Sequence, residues 1–170
     1  MIIREEEPKD YDAVYSLVKT AFESAEHSDG NEHKLVSALR HSKSFIPELS
    51  IVAEIDGIIT GYILFTRVKS DCGNALALAP LAVLPAYQRQ GIGKALINYG
   101  NKKAAEMGFD YSIVLGNPAV YSGCGFVNAG IYGIKPPFDV PEGCFMAVAL
   151  KKNAIPLNSM IEYAKEFFEI

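Results

Sequence analysis

Two spacings of apolar residues divide the chain into helices and strands. Apolar side chains recur every three or four residues after Pro8 and again over residues 31–40, and this spacing predicts two amphipathic helices. Asn31 is the expected N-cap of the second helix. The side chains that would face the core from these helices are Val14, Leu17, Val18, Ala21, Phe22, Leu35, Val36 and Leu39.

Strands are predicted where apolar and β-branched residues form short continuous or alternating runs. Residues 50–55 and 58–68 flank Asp56-Gly57, a dipeptide typical of the tight turn of a β-hairpin. Residues 75–83 are almost entirely apolar, which predicts a central strand that is buried on both faces. Shorter strands are predicted for residues 2–4, for residues 110–115, from residues 125–127 onward and for residues 144–150.

Glycine and proline mark the remaining connections. A third helix is predicted for residues 91–107, and Gly108 suits the left-handed conformation after its end. Residues 117–123 are predicted to form a loop with a short helix, and the proline-rich residues 133–143 a loop. The predicted order is therefore β-α-α-β-β-β-α-β-α-β-β, a mixed α/β (α+β) architecture in a single domain over residues 1–150.

The tail of the chain predicts a helical extension over residues 151–170. Its apolar side chains recur at helical spacing from residue 156 onward, and Asn158 or Ser159 is the expected cap. The side chains of the apolar face are Ile161, Ala164, Phe167 and Phe168. We expect this face to pack on its own domain, and contact with a second copy in a homodimer is the alternative.

Composition narrows the class of protein that this pattern describes. The chain of 170 residues is 49% hydrophobic, so it is expected to fold around a sizeable core. Its net charge of −4 gives no electrostatic footprint for nucleic acid or an anionic membrane. Cys72, Cys124 and Cys144 lack disulfide or zinc spacing, the N-terminus is charged, and no apolar run would span a bilayer. A cytoplasmic protein without metal, nucleic-acid or membrane partners is expected.

One strand–turn–helix segment, residues 81–96, has the composition of an anion site. The strand breaks at Pro85, and the following helix opens through Gly91 and Gly93. A helix N-terminus carries partial positive charge and unpaired N–H donors, and glycine lets a ligand approach the backbone, so the turn suits a pyrophosphate. A dinucleotide fingerprint would need glycine at Leu96, and the Gly-Lys-Ser/Thr of a P-loop is absent. An ordinary turn whose glycines serve packing is the alternative.

The sequences of this segment and of a second segment resemble motifs of a known family. Gln88-x-x-Gly91-x-Gly93 is similar to the Gln/Arg-x-x-Gly-x-Gly/Ala signature of the GNAT superfamily of N-acetyltransferases. Residues 117–126 resemble that family's Asn…Tyr…Gly-Phe region in compressed form, as in its YhbS-like branch. The resemblance implies the GNAT fold, a mixed central sheet with helices on both faces. It also implies an acyltransferase that takes acetyl-coenzyme A as co-substrate.

The resemblance implies roles for individual residues as well. Backbone N–H groups in the turn would hold the pyrophosphate, and the pantetheine arm would pair with the end of the fourth strand like an added strand. The residues implied in binding are Leu81, Ala82, Val83, Gln88, Arg89, Gln90, Gly91, Ile92, Gly93, Lys94, Asn117 and Tyr121. The backbone N–H of Val83 is the expected donor to the thioester carbonyl, and Tyr121 is the expected general acid for the departing thiolate.

The sequence does not identify the general base that would activate the acceptor amine. Many members of the family carry a glutamate on the fourth strand, but residues 75–83 contain no carboxylate. Glu32, His33 and Glu54 are alternative general bases, and a chain of water molecules is another. A covalent route through Cys124 is disfavoured, because the family transfers the acetyl group directly.

The predicted function is direct transfer of the acetyl group from acetyl-coenzyme A to a primary amine of a small molecule or peptide. Two alternatives use the same fold. A non-catalytic acyl-coenzyme A sensor would bind without releasing thiol, and a partner-binding module would not bind coenzyme A at all. The loops over residues 23–31 and 133–143 are expected to wall the acceptor side.

Overall fold

The computed structural model describes residues 1–23, 25–26 and 28–170. The strands are β1 (Ile2–Glu5), β2 (Ser50–Ile55), β3 (Ile58–Val68), β4 (Ala75–Val83), β5 (Tyr111–Leu115), β6 (Val127–Asn128), β7 (Ile134–Lys135), β8 (Phe145–Ala149) and β9 (Ser159–Met160). The α-helices are α1 (Tyr11–Phe22), α2 (Glu32–Leu39), α3 (Ile92–Glu106) and α4 (Pro118–Tyr121). Short 3-10 helices occupy Pro8–Asp10, Pro47–Leu49, Pro85–Tyr87, Ser122–Cys124, Ala129–Tyr132 and Lys165–Phe168.

A seven-stranded mixed sheet forms the centre of the fold. Its strands lie in the order β1-β2-β3-β4-β5-β8-β6, and β7 and β9 form a separate two-stranded sheet. Neighbouring strands of the large sheet are antiparallel except β4 and β5, which are parallel. A parallel pair needs a crossover connection, which contains α3 here. The N-terminus of α3 therefore lies near the C-terminal end of β4, the edge at which open sheets bind their ligands.

Helices cover both faces of the large sheet. α3 packs on one face, in an apolar cluster that includes Leu96, Leu78 and Val114. α1 and α2 pack on the other face, in a cluster that includes Tyr62 and Ala82. A third cluster joins side chains of β5 and β8 to those of the tail. The end of β4 is therefore enclosed between α3 on one side and the first two helices on the other.

The predicted order of elements over residues 1–150 is confirmed, with one addition. The hairpin at Asp56-Gly57 forms as predicted, and both residues have positive φ, 51° and 78°. The addition is β7, which lies inside the predicted loop over residues 133–143. Its two residues pair in parallel with β9 of the tail. A partner strand that is distant in sequence thus converts part of a proline-rich loop into sheet.

Two details concern the first two helices and the loop between them. Asn31 occupies the N-cap position of α2 as predicted, but its side chain forms no capping hydrogen bond with a described residue. Ser24 and His27, within the predicted loop over residues 23–31, lie outside the described residues. No helix in the described ranges is long and apolar enough to cross a membrane.

The α-helix predicted for the tail is wrong. Ser159–Met160 form β9 instead, and the helical part is one 3-10 turn at Lys165–Phe168. The backbone N–H of Leu157 donates to Tyr132 O at 2.9 Å, so the backbone hydrogen bonds of this segment run across to neighbouring chain rather than along a helix. Tertiary pairing overrides the helical spacing here. These contacts pack the tail on its own chain, and the boundary at residue 150 stays a prediction.

Candidate active site

The parallel strands β4 and β5 separate towards their C-terminal ends. They pair only at Ala75 with Tyr111, Leu76 with Ser112 and Ala77 with Ile113. Beyond these pairs, β4 continues alongside β3 as far as Val83, and β5 continues alongside β8 as far as Leu115. A wedge therefore opens between residues 78–83 and residues 114–115, and we call it the sheet gap. Its β4 edge carries backbone groups that β5 does not pair.

The backbone of Val83 faces the sheet gap. The N–H of the next residue, Leu84, donates to Thr60 O of β3 at 2.9 Å. Because successive N–H groups of a strand point to opposite sides, the N–H of Val83 points away from β3 and into the gap. The side-chain amide of Gln88 donates to Val83 O at 3.1 Å, which confirms that this edge is free of β3. A peptide-like ligand in the gap would thus meet a free donor at Val83.

The N-terminus of α3 presents free backbone donors beside this gap. Gly91 is its N-cap residue at φ +84°, no described side chain caps it, and the first turn contains no acidic residue. The first helical hydrogen bond runs from Ala95 N to Gly91 O at 3.0 Å, so the N–H groups before Ala95 have no partner within the helix. Gly91 is exposed, and a Cβ on it would meet nothing within 4 Å, so the turn is open at this residue. An anion can reach these donors directly.

Some side chains of the turn contact the backbone, and others are exposed to solvent. Gln90 donates its amide to Ala86 O at 3.2 Å, which ties the turn to the 3-10 helix before it. Arg89 and Lys94 are exposed, and Arg89 has a positive φ of 60°. Ile92 is the first residue of α3, and its side chain is buried in the apolar cluster beneath the helix, so only its backbone can face a ligand. The turn thus offers backbone N–H groups flanked by two cations, an arrangement that binds anions.

Tyr121 lies on the α3 side of the sheet gap. It ends the short helix α4, which Asn117 caps by accepting the N–H of Ala119 at 2.9 Å. The ring of Tyr121 packs edge-on against Phe126, with centroids 5.6 Å apart, in the same apolar cluster as Val114 of β5. Asn117 therefore positions the helix that carries Tyr121. A contact between the Asn117 side chain and a ligand stays a prediction.

Burial controls the protonation of Tyr121. Its side chain is 9% exposed, and burial raises the pKa of its phenol to about 12. The ring also lies against the backbone of Gly116, where an added Cβ would come within 2.5 Å of Cε2. Gly116 was missed by the sequence predictions, although its place between β5 and the Asn117 cap could have suggested a close contact. Tyr121 is thus held in one position and stays protonated well above neutral pH.

The three candidate general bases differ in their partners. Glu54 is engaged in an ion pair, with Arg4 Nη2 at 2.9 Å from its Oε2. His33 is buried, its ring packs edge-on against Tyr15, and burial lowers the pKa of its imidazole. Glu32 is different, because its Oε2 is buried and has no hydrogen-bond partner among the described residues. A buried carboxylate oxygen needs a partner, which water or a ligand can supply, so Glu32 is the candidate base with an acceptor position left open.

The fold and this arrangement identify the class of protein. The acetyltransferase (GNAT) family model matches residues 11–126, and the chain belongs to that family. It is 37% identical to the N-acetyltransferase YjhQ of Escherichia coli over 78% of each chain. A crystal structure of E. coli YhbS in complex with CoA superposes with a TM-score of 0.89 at 30% identity, covering 99% of this chain and 92% of that one.

A second solved structure agrees with this assignment. A GNAT family acetyltransferase of Brucella melitensis in complex with acetyl-CoA superposes with a TM-score of 0.80 at 30% identity, covering 98% of this chain and 97% of that one. The predicted family, fold and enzyme class are confirmed, and the protein is an N-acetyltransferase.

The structure brings most of the predicted binding residues to one place. The turn over residues 88–94, the end of β4 and α4 surround the sheet gap. Ala82 is the exception, because its side chain is buried on the face of α1 and α2, away from α3. Only its backbone lies on the strand that borders the gap. The roles of all these residues in binding and catalysis stay predictions.

Proposed function

We propose that this protein transfers the acetyl group of acetyl-coenzyme A directly to a primary amine. The observation that carries the proposal is the sheet gap, which has the free N-terminus of α3 at one end and Tyr121 beside it. The pyrophosphate would bind the N–H groups of residues 90–94, assisted by Arg89 and Lys94. The pantetheine amides would then pair with the free edge of β4 at residues 81–83.

Direct transfer assigns one task to each of three groups. The amine nitrogen attacks the thioester carbon, and the carbonyl oxygen gains charge that the N–H of Val83 stabilises. The C–S bond then breaks, and the phenol of Tyr121 donates a proton to the sulfur. The attacking nitrogen loses its own proton to a general base, for which we propose Glu32. The products are the N-acetylated amine and coenzyme A thiol.

Calorimetric titration and a thiol-release assay test this function together. Acetyl-coenzyme A should bind the purified protein, and thiol release should require an added amine. Binding without thiol release from any amine in a broad panel would leave a sensor, and no binding would leave a partner-binding scaffold. Membership of an acetyltransferase family favours the enzyme over both the sensor and the scaffold.

Two further aspects remain proposals. We place the enzyme in the cytoplasm, because Cys72, Cys124 and Cys144 are all free thiols and suit a reducing compartment. The acceptor would be a small molecule or a peptide amine. A homodimer is an open alternative to a monomer, and sedimentation at high protein concentration would distinguish them.

Glu32→Gln should lower kcat about 100-fold at pH 7 without changing the KM for acetyl-coenzyme A. An alkyl amine with a pKa near 10.4 is almost fully protonated at pH 7, so loss of the base slows formation of the nucleophile. The deficit should shrink as the pH approaches the pKa of the amine, which a pH series of thiol release measures. Glu54→Gln is the matched control, because Glu54 is paired with Arg4, and its kcat should not change. Equal effects of the two substitutions would contradict the role of Glu32.

Cys124→Ala should retain acetyl transfer within about twofold of the unchanged protein. Burial raises the pKa of the Cys124 thiol, so the thiolate that a covalent route needs is disfavoured. The direct route uses no thiol of the protein. Mass spectrometry of the protein mixed with acetyl-coenzyme A gives a second measurement, and a stable acetylated form that disappears in Cys124→Ala would argue for the covalent route.

A further inference from the structure

A second feature adjoins the sheet gap, on the side away from α3. A cavity of about 250 Å³ lies there, lined by Ala79 of β4, Ile113 and Leu115 of β5, and Leu35 of α2. Leu78 of β4, whose side chain belongs to the α3 cluster, also borders the cavity, at the edge where the two strands separate. The rest of its wall is aromatic and comes from the loop before β8 and from the tail. Leu78, Ala79 and Leu115 border the sheet gap, and Ile113 is the last residue of β5 that still pairs with β4.

Alternation along β5 shows which side of the sheet this cavity occupies. Val114 packs in the cluster that contains α3 and Tyr121. Ile113 and Leu115 flank it, so their side chains point to the opposite face. A donor bound at α3 would present its thioester in the gap, with its sulfur towards Tyr121. The cavity therefore faces the carbonyl carbon from the side on which an acceptor amine must approach.

The chemistry of the cavity wall is apolar and aromatic. The rings of Phe138 and Tyr163 are stacked with centroids 5.8 Å apart, and Phe138 also meets Phe168 edge-on at 6.1 Å. Tyr163 in turn packs against Phe167 at 5.3 Å. Burial raises the pKa of Tyr163 to about 12, so its phenol stays neutral. None of the described residues that line the cavity carries a charge.

Two of these rings are exposed at the rim. Phe138 is 40% and Phe168 is 62% exposed, an unusual state for phenylalanine that a ligand would relieve. The tail holds its part of the wall firmly, because Ile161 is buried and β9 pairs with β7. The cavity is therefore a formed part of the fold.

We infer that the acceptor of this enzyme is a primary amine that carries an aromatic or branched apolar group, and that this cavity binds that group. The inference rests on the proposed function. A cavity of about 150 Å³ is enough for one benzene ring, so 250 Å³ suits one ring with a short arm to the amine. A polyamine or a sugar would leave polar groups against uncharged aromatic walls.

A series of primary amines tests the inference by thiol release at saturating acetyl-coenzyme A. The series is ethylamine, butylamine, hexylamine and 2-phenylethylamine, with ethanolamine and putrescine as polar counterparts. Each added methylene should raise kcat/KM about fourfold until the cavity is filled. The aromatic amine should exceed ethylamine by more than about tenfold. Turnover that is equal across the series, or that favours the polar amines, overturns the inference and leaves acetyl transfer intact.

Two rim variants connect the preference to the cavity. Phe138→Ser and Phe168→Ala change exposed side chains, so the fold should be kept, and circular dichroism checks this. Each should lower kcat/KM for 2-phenylethylamine about tenfold or more and leave that for ethylamine within about twofold. A preference that survives in both variants would locate the apolar group elsewhere.

Two more measurements separate this inference from other outcomes. Calorimetry of 2-phenylethylamine with the coenzyme A-loaded protein reports binding without turnover. If no amine releases thiol, the proposed transfer fails, but binding that Phe168→Ala weakens would still support the cavity as the apolar site. No binding in this titration overturns it. Faster reaction with hexanoyl- than with acetyl-coenzyme A, without any apolar preference among amines, would assign the cavity to the acyl chain instead.

Discussion

Gly91→Asp is expected to weaken the binding of acetyl-coenzyme A at least about 100-fold. Gly91 is the N-cap of α3, and the unpaired N–H groups of the first turn begin at this position. A carboxylate here would occupy these donors and repel the pyrophosphate. Two unit charges about 4 Å apart repel by about 4 kcal/mol at an effective dielectric constant of about 20. Because each 1.4 kcal/mol is a factor of ten in affinity, the expected loss exceeds two orders of magnitude.

Gly91→Asn is the matched control for this substitution. Asparagine has nearly the shape of aspartate, and both residues tolerate a positive φ and cap helices well. Space is available as well, since a Cβ at this position would meet nothing within 4 Å. Both variants should therefore fold, with melting temperatures close to that of the unchanged protein. Calorimetric titration of the three proteins isolates the effect of charge, and equal affinities for the two variants would remove the pyrophosphate from this turn.

The part of the site that could be predicted from sequence depends on local contacts. The turn after β4 is specified by residues within a few positions of one another, and its glycines and free helix end follow from that short stretch. A free edge at the end of the fourth strand was expected from the family resemblance alone. Nothing in residues 75–83 or 110–115 shows where two parallel strands stop pairing, because strand separation depends on what packs above and below.

The tail and the cavity show why the rest could not be predicted. The spacing of Ile161, Ala164 and Phe167 fits a helix, but the backbone of the tail pairs with β7 and, at Glu162, with Lys69 just after β3. The cavity wall joins Leu35 to Phe168, and no periodicity connects residues so distant in sequence. Helical spacing correctly marked the tail residues as apolar contacts. However, the helical spacing predicted the wrong secondary structure for the tail. It therefore could not indicate that several of these side chains line the proposed ligand cavity.

Gly116 and Asn117 connect the sheet gap to Tyr121, the proposed general acid. β5 ends at Leu115, and the chain then turns into α4 through these two residues. Asn117 fixes the start of the helix by a capping hydrogen bond, and Gly116 leaves room for the ring of Tyr121. The position of the phenol beside the gap is therefore set by the strand end itself. Any change that moves the end of β5 also moves the proposed acid.

Tyr121→Phe is expected to lower kcat about 100-fold while the KM for acetyl-coenzyme A stays within about twofold. The substitution removes the proton donor but keeps the ring that packs against Phe126. General acid catalysis by a positioned side chain contributes this order of magnitude. Because burial raises the pKa of Tyr121 to about 12, the phenol remains protonated throughout the assay range. The rate of the unchanged protein should rise with pH as the amine is deprotonated and show no basic decline up to pH 10 or so.

Gly116→Ala provides the second half of this test. Its methyl group would come within 2.5 Å of Tyr121 Cε2, so the ring must move and the phenol should lose its alignment with the sulfur. We expect a loss of kcat approaching that of Tyr121→Phe, and little further loss when the two substitutions are combined. Such non-additivity is the signature of two residues that act through one group. Fully additive losses, or a Tyr121→Phe variant with unchanged kcat and pH profile, would show that the leaving thiolate takes its proton from another source.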